Sequence, residues 1–111
     1  MATTTVVEAE VQGTTALSTY ATLYATAAGA SAVFSTIGVC NTSASAVTVR
    51  VAVMGTAGTP AAVNWRVYDA VVAGNDVVAL TIGLTMGASR FMRVSSSANT
   101  VTFFAGVAVT V

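Results

Sequence analysis

The chain has 111 residues, a formal net charge of zero, no histidine and only 7% charged side chains, where a typical domain carries about 25%. Zero net charge and four arginines spread along the chain argue against the basic patch that phosphate recognition needs, so no nucleic-acid partner is expected. The absence of histidine excludes Ser-His and Cys-His nucleophilic pairs.

The length suits one domain over 1–111, with residues 1–5 as an extended N-terminal arm. There are 22 Ala, 20 Val and 18 Thr against 4 Leu and 2 Ile. Val and Thr are stiff at χ1 and suit a pleated strand. Ala is interleaved with them and with Gly rather than with helix-forming Leu, Glu and Lys, so the reading is β.

Taken in chain order, the period is two nearly everywhere. Residues 6–12 turn Val7, Ala9 and Val11 inward and Glu8 and Glu10 outward. Residues 19–27 set Tyr20, Thr22 and Tyr24 against Ala21, Leu23 and Ala25. Residues 31–40 are apolar on both faces, Val33, Ile37 and Val39 against Phe34 and Cys40, as in a strand that is central or covered twice. Residues 46–54 alternate most clearly, with Val47, Val49, Val51 and Val53 opposite Thr48, Arg50 and Ala52. Residues 63–69 place Val63, Trp65 and Val67 on one face and Asn64, Arg66 and Tyr68 on the other. Residues 76–84 point Val78, Leu80, Ile82 and Leu84 inward. Residues 90–95 set Met92 and Val94 against Phe91 and Arg93. Residues 101–111 put Val101, Phe103, Ala105, Val107, Val109 and Val111 on one face.

Turn chemistry separates these runs: Ala28-Gly29-Ala30, residues 41–45, residues 55–60 with the single proline, Gly74-Asn75, Met86-Gly87 and residues 95–99. The expectation is an all-β sandwich or jelly roll of about seven or eight antiparallel strands. Residues 11–49 carry no charge, but Thr, Ser, Gly and Asn interrupt them throughout, so no membrane span is expected. The N-terminus lacks the basic and continuous apolar regions of a secretory signal.

Little of the sequence carries chemistry, and no enzyme activity, metal or cofactor is expected. Cys40 is single and sits in an apolar run, where it reads as a small hydrophobe. Glu8 and Glu10 share a strand face and read as the solvated face of an edge strand, where charge blocks stray pairing. Asp69 and Asp76 flank a turn without the spacing of a calcium loop. The aromatics are the remaining signal. Tyr20, Tyr24, Trp65 and Tyr68 lie on strands with polar neighbours, and Trp, Tyr and Arg are common interface anchors. Trp65 shares a face with Val63 and Val67, which favours a core role. Arg66 and Tyr68 on the other face are the better contact candidates. A glycan-binding module using Trp65, Tyr68 and Tyr24 is the other use of such residues. A surface this poor in charge has weak protection against association, so much of it is expected to be covered by partner chains.

Residues 23–53, LYATAAGASAVFSTIGVCNTSASAVTVRVAV, and 67–109, VYDAVVAGNDVVALTIGLTMGASRFMRVSSSANTVTFFAGVAV, resemble small structural proteins of tailed bacteriophages. The shared features are the I-x-V-C-N strand end at 37–41, the alternating valine strand, the segment at 75–86 like N-D-x-x-x-L-T-x-G-L-T-L, with Met86 in the last place, and the late R-V-x-S strand at 93–96. A Thr-x-Pro-Ala-Gly turn common in such proteins is here Thr26-Ala-Ala-Gly29, without the proline. The resemblance implies a β-sandwich component of the virion, assembled in the host cytoplasm. It implies a capsid decoration (cement) protein, favoured as a homotrimer bridging major capsid protein subunits, or else a neck, tail or baseplate protein among neighbouring virion proteins. The apolar end around Val109 and Val111 suits contact with another chain.

Overall fold

The alternation of valine with threonine and alanine produces nine strands in the computed structural model, which describes residues 3–111. They are β1 (Thr4–Gln12), β2 (Ala21–Ala25), β3 (Ser31–Asn41), β4 (Val47–Met54), β5 (Trp65–Val72), β6 (Val77–Leu80), β7 (Leu84–Met86), β8 (Phe91–Ser96) and β9 (Val101–Thr110), with a 3₁₀ turn at Ala62–Asn64. One sheet has the order β1-β9-β3-β6, with β7 also pairing with β3; the other has the order β2-β8-β4-β5. All pairings are antiparallel.

The pairing is nested. β1 pairs with β9, β2 with β8, β3 with β6 and β7, and β4 with β5. The chain is therefore one long hairpin rolled so that its arms alternate between two sheets, which is the jelly-roll arrangement. The expected β-sandwich is present, with nine strands in eight positions because the strand expected over 76–84 is broken. Gly83 has a φ of +59°, a conformation that glycine adopts without steric cost. Thr81–Gly83 leave the ladder there, and Ile82, expected to point inward, is 43% exposed.

Between the sheets lies one core, built from Phe34, Ile37, Val39, Val49, Val51, Met92, Val94, Phe103 and their neighbours. Four register shifts decide which residues reach it. In β3 the register shifts between Phe34 and Ile37, so both point inward while Val33 and Cys40 face outward. The strand is central in its sheet, between β9 and β6, as one limb of the expectation had it, and its outer face is covered only at Gly38, which lies under the Phe104 ring. In β2 the shift between Thr22 and Tyr24 turns Tyr24 inward against Phe34, edge-on at 5.9 Å between ring centroids. In β5 there are two shifts, one opposite Val49 and Val51 and one opposite Val51 and Ala52. Val67 pairs with core-facing Val51, whereas Trp65 pairs with Ala52 on the outer side. Trp65 is therefore not a core residue. Val63 is not in a strand at all: it lies in the 3₁₀ turn and is 82% exposed.

Thr4 and Thr5, expected in an N-terminal arm, belong to β1 and pair with Thr110 and Val109. Met1 and Ala2 lie outside the described residues. At one end of the roll, Asn41 ties three loops together. Its Nδ2 donates to the carbonyls of Ser45, Val72 and Ala73, and its Oδ1 accepts from Ser43 N–H and Thr100 Oγ1–H. Gly74 sits so close under the Ala44 carbonyl that a Cβ there would overlap it. Beside them, Thr14 and Ser96 exchange backbone and side-chain hydrogen bonds in both directions. At the other end, Thr26 Oγ1 donates to the Gly87 carbonyl and accepts from Arg90 N–H.

Candidate functional site

The side chains with the most binding chemistry gather on the outer face of the β2-β8-β4-β5 sheet. Arg50 on β4 alternates with buried Val49 and Val51 and so points outward. It meets β5 where Asp69 takes a left-handed φ of 58°, a conformation Asp tolerates better than most residues. Arg50 Nε donates to Asp69 Oδ1 at 2.5 Å. Its guanidinium carbon lies 4.1 Å from the Tyr68 ring centroid and 5.7 Å from that of Trp65, within the range of cation–π attraction. The hydrogen bond to Asp69 raises the Arg50 pKa above its ordinary value.

Aromatic packing extends the cluster. Trp65 and Tyr68 meet edge-on at 5.2 Å, and Tyr20, just ahead of β2, lies 6.1 Å from Trp65. Arg93 on β8 donates to Thr22 Oγ1 at 2.6 Å and to the Tyr20 carbonyl at 3.3 Å, fixing the loop that presents Tyr20. Arg93 Nε and Ser95 Oγ are buried without a hydrogen-bond partner; Ser95 is opposite Arg50 and Arg93 opposite Ala52. The result is a platform of mutually packed side chains in which Tyr68 remains 57% exposed. It offers a cation, two aromatic faces and phenolic hydroxyls, the composition of a protein-contact anchor.

The residues singled out in the sequence divide accordingly. Tyr20, Trp65 and Tyr68 come together on this face. Arg66 lies at the β5 bulge, exposed, with Nη1 donating to the carbonyls of Val63, Asn64 and Trp65. Tyr24 packs against the core instead, and so does half-buried Val109. Val111 follows β9 and is exposed, its backbone exchanging hydrogen bonds with Thr3. Arg50 and Arg93 also belong to the platform without having been contact candidates, and Asp69, read from the sequence as a turn carboxylate, lies within β5 and pairs with Arg50 instead. The only sequence signal for Arg50 was its outward place among the valines; its partner lies 19 residues away. Asp76 behaves as expected of a turn carboxylate, accepting from Val77 N–H at 2.8 Å.

Among the described residues no group of three or more His, Cys, Asp or Glu is placed to hold a metal ion. No helix among them is long and apolar enough to cross a membrane.

The chain's fold is similar to that of chains in virus particles. A chain in the structure of infectious bursal disease virus Gx strain aligns with a TM-score of 0.56 and 11% identity over 99% of this chain. One in the T13 particle of the same virus aligns with a TM-score of 0.57 and 12% identity over 97%. This chain spans about a third of the length of those chains, 33% and 31%. Similarity to a pentameric capsid protein isolated from metagenomic phage sequences is weaker, with a TM-score of 0.47 and 14% identity. No protein-family model and no curated protein sequence matches the chain.

Proposed function

We infer that this chain is a non-enzymatic structural protein of a virus particle. In its finer form the reading is a capsid decoration protein of a tailed phage, a homotrimer that stabilises the head by bridging capsid subunits. The observation that carries it is the Arg50–Trp65–Tyr68–Tyr20 platform, a preorganised contact surface on an otherwise charge-poor jelly roll. The sharing of this fold with chains of the infectious bursal disease virus particle supports the reading. So does the phage-protein resemblance over residues 23–53 and 67–109.

Binding of such a protein requires shape and anchors rather than reactive groups, and many copies on a lattice add avidity. Replacing both Trp65 and Tyr68 by Ala is expected to lower incorporation into particles at least ~10-fold, as loss of central aromatic anchors does. Quantitative mass spectrometry of purified particles measures this and gives the copy number. Copies in the number of capsid subunits support decoration; a single ring's worth moves the protein to the neck, tail or baseplate. Absence from particles overturns the virion reading. Jelly rolls also serve as lectin domains, and the platform has the aromatics a sugar would stack on. Glycan binding lost in the same variant, by a protein absent from particles, would establish that second reading.

A further inference from the structure

The zero net charge conceals a segregation. The β2-β8-β4-β5 sheet and its flank carry Arg50, Arg66, Arg90 and Arg93 with one carboxylate, Asp69, a formal +3. The β1-β9-β3-β6 sheet and its flank carry Glu8, Glu10 and Asp76 with no arginine, a formal −3. Glu8 and Glu10 are both exposed on β1, opposite Gly106 and Phe104 of β9. A shallow groove lined by Glu8, Glu10, Phe104 and Gly106 opens between them. Two carboxylates beside a partly exposed aromatic ring form a receptor for a guanidinium. Valines extend the surface: Val6 and Val33 are both exposed in one cross-strand row through Ala108.

We propose that the acidic β1 face of one copy docks on the arginine–aromatic face of a second copy of the same chain. This deepens the structural reading above by naming the occupant of the platform. The two sheets with their flanks are opposite in formal charge. Strands of 9, 10, 11 and 4 residues in the acidic sheet, ~4.8 Å apart and rising ~3.3 Å per residue, give a flat area of ~540 Å², which places the contact below the ~800 Å² per partner of a standard interface and among the weaker ones. Because the two surfaces differ, the contact is heterologous. Such contacts build closed rings, trimers among them, or open stacks where the rotation does not close. A two-fold pairing would instead set acid against acid.

The test uses the full chain in sedimentation velocity. One variant carries Glu8→Lys and Glu10→Lys; the other carries Arg66→Ala and Tyr68→Ala. All four side chains are exposed, and circular dichroism confirms the fold. Wild type is expected to self-associate, more weakly as salt shortens the Debye length from ~10 Å at 0.1 M to ~3 Å at 1 M. Each variant alone is expected to associate at least ~10-fold more weakly. Mixed, they retain one intact acidic face and one intact basic face, and are expected to form 1:1 dimers that grow no further. A monomeric wild type, association that strengthens with salt, or a mixture no better than its components overturns the proposal. Particle incorporation is read separately, so a monomer that still enters particles refutes this interface and leaves the virion reading standing. An assembly absent from particles does the reverse.

Discussion

Phe103→Ala is expected to lower the unfolding free energy by ~3–5 kcal/mol, the range for deleting a buried aromatic. Phe103 is 0% exposed and lies on β9 between Val11 of β1 and Val39 of β3. It is one of the largest fully buried side chains of the core, so truncation removes transfer energy and leaves a cavity. That is a large part of the ~5–15 kcal/mol that holds a domain folded. The adjacent Phe104 is the internal control. It is 41% exposed on the opposite face, and Phe104→Ala is expected to cost less than ~1.5 kcal/mol. Urea denaturation with an unchanged m-value measures both. Equal losses at the two positions would mean that β9 does not alternate as described.

Asn41→Ala is expected to cost ~3 kcal/mol without removing any apolar packing. Asn41 is 2% exposed, and its amide serves three carbonyls, one N–H and one hydroxyl in three different loops. Its removal strands the buried Val72 carbonyl at ~1–3 kcal/mol and unties the part-buried groups of Ser43, Ser45, Ala73 and Thr100, which water can partly satisfy. Asn41→Asp separates this hub from simple space filling. The carboxylate replaces a donor facing three carbonyl oxygens with an acceptor, so it is disfavoured in the folded state and its folded pKa lies above the unfolded ~3.9. The variant's deficit is then smallest below pH ~4 and grows as pH rises through that range. Chemical denaturation of wild type and variant across pH reads it. A pH-independent difference would show that the hub is not built on donation from Nδ2.

This residue also shows what a sequence pattern carries. Asn41 closes the I-x-V-C-N strand end that contributed to the phage resemblance, and its place in that motif is explained by the loops it fastens. Nothing local to it names Val72 or Thr100 as partners. The same holds for Arg50. Its outward direction follows from alternation with Val49 and Val51, but its pairing with Asp69 depends on where β5 docks.

Composition and period alone settle that the chain is all-β, that β1, β4 and β9 bury the faces they do, and that no histidine chemistry exists. The tertiary structure decides where Tyr24, Val33, Val63, Trp65 and Ile82 lie, and that the opposite charges separate onto two sheets. The physical reason is parity. In a strand the face of a side chain depends only on odd or even position, so one inserted residue exchanges the faces of everything beyond it. Where that residue is inserted is set by the register of a neighbouring strand far along the chain, and no local window of sequence contains it.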